Sequence, residues 1–257
     1  MAGKHEGHEL DLSIVIPLKD EAESVIHLRD EIDAVLKALP YTWECIWVDD
    51  GSSDDTREKI RQFHQSDKHH QYVELSQNYG QSAAMYAGFC HARGRILATM
   101  DGDGQNDPGD IPGLIELLNK ENCDIVNGVR RNRRDSMVRK LSSRIANGFR
   151  NWLTHESVTD VGCSLRVFRR DCIRHLSPFN GFHRFLPTLI RLYGCSKIAE
   201  IPVNHRPRKF GQTKYGIRNR LWVGILDTFA VRWMQNRVVI PGIQTTSSKK
   251  ESVNGHE

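Results

Sequence analysis

Short apolar runs alternate with stretches of helical periodicity through the first half of this 257-residue chain. Strands are predicted over residues 12–17, 43–49, 72–75, 96–100 and 124–129. Apolar residues recur at helical spacing from Val25 to Leu39, and helices are also predicted over 54–65 and 81–93. Strands that alternate with helices predict an α/β fold with a mostly parallel sheet covered by helices on both faces.

The pattern changes after about residue 130. Apolar residues recur every fourth position from Met137 to Phe149 on a basic segment, which predicts an amphipathic helix. Residues 164–168 and 198–203 are strand-like, and residues 206–214 are typical of a basic loop. Residues 217–237 combine tryptophans and other apolar residues with four arginines. We predict one domain over 11–240, built from the parts 11–129 and 130–240, between disordered segments 1–10 and 241–257.

Acidic turns follow three of the predicted strands, at residues 17–21, 48–53 and 101–105. A single acidic turn after a strand is commonplace and caps a helix or forms a loop. Three such turns at the same edge of a sheet indicate a binding site, because ligands of open α/β sheets gather outside the carboxyl ends of the strands.

The third turn carries oxygen-bearing side chains at alternate positions, Asp101, Asp103 and Gln105. In an extended segment, residues two apart point the same way. Carboxylate and amide oxygens suit a hard divalent cation. The sequence therefore predicts a metal that holds a phosphorylated ligand.

The formal net charge of +4 is mild, but its distribution is uneven. Residues 130–150 contain eight Lys or Arg and one acid, Asp135, which favours phosphate or an anionic surface as partner over a merely solvated helix face. The six cysteines form no CxxC pair and are expected to be reduced. No signal peptide and no apolar run long enough to cross a bilayer is evident, so a cytoplasmic protein, free or peripherally attached to the membrane, is expected.

Four motifs together carry a resemblance to a known family. They are Ser13-Ile-Val-Ile-Pro17, Val48-Asp-Asp-Gly-Ser-Ser53, Asn78-Tyr-Gly-Gln81 and Met100-Asp-Gly-Asp-Gly-Gln105. In this order they resemble family-2 inverting glycosyltransferases with the GT-A fold. Within that family the chain is most similar to polyprenyl-phosphate sugar transferases of the dolichol-phosphate mannose synthase type, over roughly residues 12–233. The resemblance makes 11–129 the nucleotide-sugar-binding half, and 130–240 the acceptor half with basic amphipathic helices toward the membrane.

The resemblance implies roles for particular positions. The nucleotide sugar would contact Pro17, Lys19, Glu21, Trp47, Asp49, Asp50, Gly80, Asp101, Gly102, Arg130, Arg208 and Lys214, with Trp47 and Asp49 against the base. Mg²⁺ or Mn²⁺ would be held by Asp101, Asp103 and Gln105. Arg208 and Lys214 would stabilise the departing nucleoside diphosphate, and Asp160 could orient the acceptor or accept a proton. The acceptor side would include Arg131, Arg134, Lys140, Arg144, Ser164 and Arg166, the last of which could pair with Asp160 or with phosphate.

The implied reaction needs little acid–base chemistry. A lipid monophosphate is largely ionised at neutral pH, because its second pKa is near ~6. Alignment and charge neutralisation are then the main tasks of the enzyme, and in-line attack inverts the anomeric centre. The resemblance implies transfer from GDP-mannose as first choice, or from a UDP-hexose, to dolichyl or undecaprenyl phosphate. Residues 137–149 and 221–234 join apolar to basic residues, so the membrane surface, or else a membrane-protein partner, is expected to supply attachment.

Other functions remain as alternatives. A transferase with a hydroxyl acceptor would share the donor site and would need a carboxylate base such as Asp160. A Mg²⁺-dependent phosphatase also places Asp-x-Asp after a strand, but Gln105 departs from its pattern and residues 48–53 would have no role. A non-enzymatic membrane-binding module or a nucleic-acid binder would explain the arginines, yet the three acidic turns would repel polyanions. Nucleic acid is therefore not expected as a partner.

Overall fold

A computed structural model describes residues 9–131, 147–208 and 217–239, and in residues 217–222 it describes the backbone alone. The strands of one mixed sheet are β1 (Leu10–Leu18), β2 (Trp43–Asp49), β3 (His70–Glu74), β4 (Gly94–Thr99), β5 (Ile125–Arg130), β6 (Arg166–Arg169) and β7 (Ile198–Val203). Their order across the sheet is β3-β2-β1-β4-β6-β5-β7. Strands β3, β2, β1 and β4 run parallel. This part of the sheet therefore presents four carboxyl ends at one edge.

The helices flank the sheet on two faces. They are α1 (Ala22–Leu36), α2 (Thr56–Ser66), α3 (Gln81–His91), α4 (Ile111–Lys120), α5 (147–154), α6 (Leu186–Leu192) and α7 (Ile217–Arg237). Helices α1, α2 and α4 contribute to one buried apolar cluster, and α3, α6 and α7 contribute to the other. Ile14 of β1 joins the first cluster and Val15 joins the second, as the two-residue period of a strand requires. This is the predicted α/β architecture, with both faces of the sheet covered.

Strand β6 departs from the parallel order. It pairs antiparallel with β4 on one side and with β5 on the other, so that Arg166 lies opposite both Thr99 and Asn127. Its first residue therefore stands at the edge where β4 ends, and its last residue stands at the opposite edge. The sequence predicted the segment, one to two residues early, but not its direction.

Several predictions concern residues outside the described ranges. These include most of the basic helix over 137–149, residues 1–8 of the amino-terminal segment and the tail over 241–257. The division of the domain at 129/130 stays a prediction, and β5 crosses it. Within the described ranges, no helix has the length and apolar character needed to cross a lipid bilayer.

Candidate functional site at the carboxyl edge of the sheet

The first two acidic turns are held against each other. Lys19 Nζ donates to the Gly51 carbonyl at 3.1 Å and forms an ion pair with Asp20 at 2.9 Å. Asp20 Oδ1 accepts from the Ser53 amide at 2.7 Å. The φ of Asp20 is +48°, a left-handed conformation that few residues other than glycine adopt. The turns after β1 and β2 therefore form one unit at the sheet edge.

The second turn contains adjacent buried carboxylates with different partners. Asp49 Oδ2 accepts from Arg57 Nε at 3.2 Å and from Arg57 Nη2 at 3.1 Å. Asp50 accepts from the amides of Tyr79 and Gly80 at 2.7 and 2.9 Å. Burial raises the pKa of Asp50, and these two amides act against that rise. Asp50 thus fixes the turn that starts α3.

The third turn places two acidic side chains close together. Asp101 is half-buried, and its Oδ1 accepts a hydrogen bond from Gln81 Nε2 at 2.8 Å. Burial, followed by the negative charge of Asp103, raises the pKa of Asp101 to about 6. Asp103 Oδ1 accepts from the Gln105 amide at 3.0 Å. The site thus concentrates negative charge at the end of β4.

The first and third turns also touch. Ser24 Oγ, in the first turn of α1, donates to the Gly102 carbonyl at 2.8 Å and to Glu21 Oε2 at 3.1 Å. A Cβ at Gly102 would lie 2.1 Å from Leu18 Cδ2. A larger residue at this position would therefore require the Leu18 side chain to move, whereas the nearest backbone atom, the Pro17 carbonyl oxygen, lies at 3.4 Å.

An arginine from the segment after β7 joins the first and third turns. Arg208 Nη2 lies 2.8 Å from Glu21 Oε1 and 3.3 Å from Asp103 Oδ2. Two residues earlier, Arg206 Nη1 lies 2.7 Å from Glu31 Oε2 on α1. The segment that contains Arg208 therefore crosses the sheet edge beside the acidic turns.

On the far side of β4, Arg130 and Asp160 form a bidentate ion pair. Arg130 Nε and Nη2 each lie 2.8 Å from a different Asp160 oxygen, and the Arg130 amide donates to Oδ2 at 3.2 Å. Both side chains are largely buried. A two-pronged arginine–carboxylate pair of this kind is strong and geometrically fixed.

Residues 13–177 match the family model described as Glycosyl transferase family 2. The chain belongs to this family. Its described fold and the position of its acidic turns agree with the resemblance found in the sequence.

Two relatives with named activities are similar to most of this chain. The chain is 39% identical over 236 residues to dodecaprenyl-phosphate galacturonate synthase of Rhizobium johnstonii, covering 91% of this chain and 70% of the relative. It is 38% identical over 205 residues to undecaprenyl-phosphate 4-deoxy-4-formamido-L-arabinose transferase of Salmonella paratyphi A. That match covers 79% of this chain and 62% of the relative, so the chain spans less than two thirds of the second protein. Both names combine a sugar with a polyprenyl phosphate.

Solved structures support the fold. Glucosyl-3-phosphoglycerate synthase from Mycobacterium tuberculosis, in complex with Mn²⁺, UDP and phosphoglyceric acid, superposes with a TM-score of 0.67 at 19% identity. The match covers 91% of this chain and 81% of that chain. The same enzyme with Mn²⁺ and UDP-glucose gives a TM-score of 0.64 at 21% identity. At such identities the likeness concerns the fold alone.

The third turn of this glycosyltransferase fits a divalent cation. Asp101 and Asp103 supply two carboxylates whose mutual repulsion contributes to the raised pKa of Asp101, and a cation between them would relieve that repulsion. The side-chain amide of Gln105 donates from Nε2 to the Arg206 carbonyl at 3.2 Å, and its oxygen is the atom suited to a metal. The predicted ligands are thus compatible with Mg²⁺ or Mn²⁺.

The position of Trp47 is at odds with the prediction that it contacts the base. The side chain is fully buried among apolar residues that include Phe63, and its Nε1 donates to His70 Nδ1 at 3.1 Å. Burial on this face of the sheet separates it from a ligand at the edge. Trp47 instead supports β2 from the core.

Arg166 and Ser164, which the resemblance placed on the acceptor side, have specific partners in the structure. Arg166 is 3% exposed, and it donates to the carbonyls of His183 and Val161 at 2.8 and 2.6 Å. Arg166 therefore supports neighbouring loops, and Asp160 hydrogen-bonds to Arg130. Ser164 Oγ donates to Asn106 Oδ1 at 2.9 Å, beside the third turn.

Two residues with structural roles in the site were missed. Gln81 donates to Asp101, and Asn106 Oδ1 accepts from the Asp101 amide at 3.1 Å. Both lay within or next to the motifs used for the resemblance, so their sequence positions were the available signal. Of the other predicted residues, Arg131 is exposed, whereas Arg134, Lys140, Arg144 and Lys214 lie outside the described ranges.

Proposed function

We propose that this protein transfers a sugar from a nucleotide donor to a polyprenyl phosphate, with inversion at the anomeric carbon and with Mg²⁺ or Mn²⁺ as cofactor. The observation that carries the proposal is the paired carboxylates of Asp101 and Asp103 at the sheet edge, joined to Glu21 through Arg208. The bound metal would neutralise the donor diphosphate. The names of the two relatives support the lipid acceptor.

The protein's own groups have separable tasks in this proposal. Arg208, beside Asp103, binds the diphosphate and stabilises the charge that develops as the bond to the sugar breaks. Lys214 belongs to the same predicted loop and is assigned the same task. Lys19, at the junction of the first two turns, is assigned to the donor side. The tightly held turns around Gly102 keep these groups in place before the donor binds.

The Arg130–Asp160 pair favours a phosphate nucleophile over a hydroxyl nucleophile. A hydroxyl acceptor needs a base, and both Asp160 oxygens already accept hydrogen bonds from Arg130 at 2.8 Å. A phosphate monoester is already ionised and needs no such base. We therefore move Arg130, which the resemblance placed on the nucleotide-sugar side, to the acceptor phosphate, with Asp160 keeping its side chain in place.

The donor sugar is proposed to differ from mannose. The two relatives are named for galacturonate and for 4-deoxy-4-formamido-L-arabinose, and neither is named for mannose. We therefore no longer propose GDP-mannose as the first choice of donor. We place a UDP-linked sugar first.

An exposed apolar patch supports attachment to a lipid surface. We define the α5/α7 patch as Phe149, Trp152, Leu226, Phe229 and Trp233. Phe149 contacts Trp152 and Phe229 with ring centroids 6.3 and 6.2 Å apart. Leu226, Phe229 and Trp233 lie three and four residues apart, so they share one face of α7.

That face is the outward one. Trp152 is 71% exposed, Leu226 67% and Trp233 62%, whereas Thr228 and Val231 on the other face of α7 are buried. A contiguous apolar surface of this kind marks an interaction site. The basic block at 130–150 and the arginines at 232 and 237 favour an anionic bilayer as the occupant. We propose that the protein docks peripherally on a membrane through the α5/α7 patch.

A donor panel tests the function. Purified protein is incubated with Mn²⁺ or Mg²⁺, undecaprenyl or dolichyl phosphate, and labelled UDP-galacturonate, UDP-glucose, UDP-4-deoxy-4-formamido-L-arabinose or GDP-mannose in turn. We expect label in the organic phase with a UDP-linked donor. No label should be extracted when the matching polyprenol replaces the polyprenyl phosphate, or when the Asp103→Asn variant replaces the parent protein. Label extracted from GDP-mannose alone would overturn the donor proposal, and transfer to polyprenol or a soluble hydroxyl would overturn the acceptor proposal.

A further inference from the structure

Two thiols meet at the edge of the sheet opposite the candidate donor site. The Sγ atoms of Cys172 and Cys195 and a carboxylate oxygen of Asp124 all lie within 4.8 Å of one another. Cys172 belongs to the short turn after β6, and Cys195 precedes β7. Asp124 precedes β5, and its amide donates to the Lys197 carbonyl at 2.8 Å. The cluster therefore surrounds the point where β6 ends and where β5 and β7 begin.

The two thiols have different environments. Cys172 is 2% exposed, and its Sγ lies 3.7 Å from the Asp124 carbonyl oxygen, whereas Cys195 is partly exposed. The hydrogen bond between the two thiols and the burial of Cys172 raise the pKa of Cys172. The same hydrogen bond lowers the pKa of Cys195. Cys195 is thus the more accessible and the more readily ionised thiol of the pair, and reactivity follows the thiolate.

We propose that Cys172 and Cys195 form a reversible disulfide when the protein meets a hydroperoxide. The Cys195 thiolate attacks the hydroperoxide oxygen, which breaks the O–O bond and gives a sulfenic acid and hydroxide. The Cys172 sulfur then attacks the Cys195 sulfur, the S–O bond breaks, and hydroxide leaves with the Cys172 proton as water. With hydrogen peroxide, two thiols and one peroxide give one disulfide and two waters.

The bond would close a loop around residues 173–194. This loop includes His183, whose carbonyl accepts from Arg166 and whose Nδ1 lies 2.8 Å from Ser82 Oγ at the start of α3. A cross-link restricts the unfolded chain, so oxidation is expected to stabilise the folded protein. The bond lies at the opposite sheet edge from Asp101 and Asp103, so the inference is independent of the proposed function.

A thiophilic metal is the competing use of this cluster. Only three donor groups come together among the described residues, and Asp124 Oδ2 already accepts from the Lys197 amide at 2.8 Å. A disulfide needs the two sulfurs alone. We therefore favour the disulfide and make metal binding an outcome of the test.

The test uses the full-length protein, freed of metal with chelator and treated with hydrogen peroxide. Remaining thiols are blocked with N-ethylmaleimide in denaturant, where every free cysteine is accessible, before intact-mass measurement and peptide mapping. We expect loss of two hydrogen atoms, two thiols protected from the reagent, and a Cys172–Cys195 peptide that dithiothreitol releases. The melting temperature of the oxidised protein should rise, and Cys90→Ala, which changes an exposed cysteine outside the pair, should behave like the parent.

Single variants separate the two chemical steps. Cys172→Ala should leave a sulfenic acid at Cys195 that dimedone traps, and Cys195→Ala should leave Cys172 reduced. Oxidation of Cys90 while Cys172 and Cys195 both still react with N-ethylmaleimide would overturn the proposal, as would a disulfide between other cysteines. Protection of both thiols by Zn²⁺, with no disulfide formed by peroxide in the metal-free protein, would assign the cluster to metal instead.

Discussion

Asp101 is the residue at which folding stability and ligand binding conflict most directly. Its pKa in the folded protein is raised from 3.8 to about 6, so the folded state binds this proton more tightly than the unfolded state does. Ionising this carboxyl near pH 7 therefore opposes folding, by roughly 3 kcal/mol at most. The contribution is unfavourable above about pH 6 and fades as the pH falls toward 4.

Removing this charge should stabilise the metal-free protein. We expect Asp101→Asn to raise the melting temperature in chelator by roughly 5 °C near pH 7, with the gain shrinking as the pH is lowered through 6. The amide can still accept from Gln81, so the main change is electrostatic. Differential scanning fluorimetry over a pH series measures the effect, with exposed Asp55→Asn as the control. A lower melting temperature for Asp101→Asn near pH 7 would contradict the argument.

Asp160 offers a second test at the residue scale. If its task is to hold Arg130, Asp160→Asn should raise KM for the polyprenyl phosphate several-fold and leave the shape of the pH–rate profile unchanged. If it were a general base, turnover should instead drop by about 10²–10⁴, and the pH–rate profile should lose the fall on the acidic side that protonation of the base causes. Steady-state assays across pH distinguish these results, and Glu156→Gln, which removes another buried acid on the same segment, is the matched control.

Residue roles were only partly predictable, and Trp47 shows why. All residues of β2 are buried, so the strand has no polar face from which the direction of each side chain could be read. The position of Trp47 in the motif predicted a place near the site. Side chains alternate between the two faces of a strand, and the Trp47 ring lies on a face that packs into the core. Asp101 and Asp103 were easier to predict, because they follow the end of a strand whose carboxyl edge must face the ligand.

At the scale of elements, the α5/α7 patch carries the proposal of membrane contact. We expect Leu226→Ser with Trp233→Ser to reduce sedimentation with anionic liposomes at least several-fold, because both side chains are exposed and apolar. Folding should be almost unaffected, since neither residue is buried. Asn236→Ser, at an exposed polar position of the same helix, is the control.

The same double variant separates docking from chemistry. Its KM should rise for a long-chain acceptor in vesicles and stay unchanged for a short-chain acceptor in solution. If the double variant bound liposomes as well as the parent, the α5/α7 patch would not be the membrane-docking surface. The proposal for the donor site would be unchanged.

The sequence predicted most strands and helices but not how one strand is inserted. Helical and strand periodicities located the elements around β1, β2 and β4, whose parallel pairing brings the acidic turns together. Strand β6 is four residues long, and its place between β4 and β5 depends on pairing across more than 35 residues of chain. Local patterns contain no information on such pairing. The burial of Arg166, at the start of β6, was hidden for the same reason.

At the scale of the whole molecule, Arg208 connects parts of the chain that are far apart in sequence. It touches Glu21 near the start and Asp103 near the middle. Binding of a metal and nucleoside diphosphate should therefore stabilise the entire fold, since any ligand that binds only the folded state does so. At a ligand concentration of about 100 times Kd, the gain is about 2.7 kcal/mol, or roughly 5–10 °C in melting temperature for a domain of this size.

Arg208→Lys should lose much of this ligand-induced shift. Lysine keeps the positive charge but cannot present the planar fork of donors that arginine offers to carboxylates and phosphates. Arg206→Lys is the matched control, because Arg206 lies two residues away and pairs with Glu31 and Asp107 instead of Glu21 and Asp103. Melting curves with Mn²⁺ and UDP, together and separately, give the measurement. An equal ligand-induced shift in Arg208→Lys and in the parent would mean that this connection between the two turns takes no part in nucleotide binding.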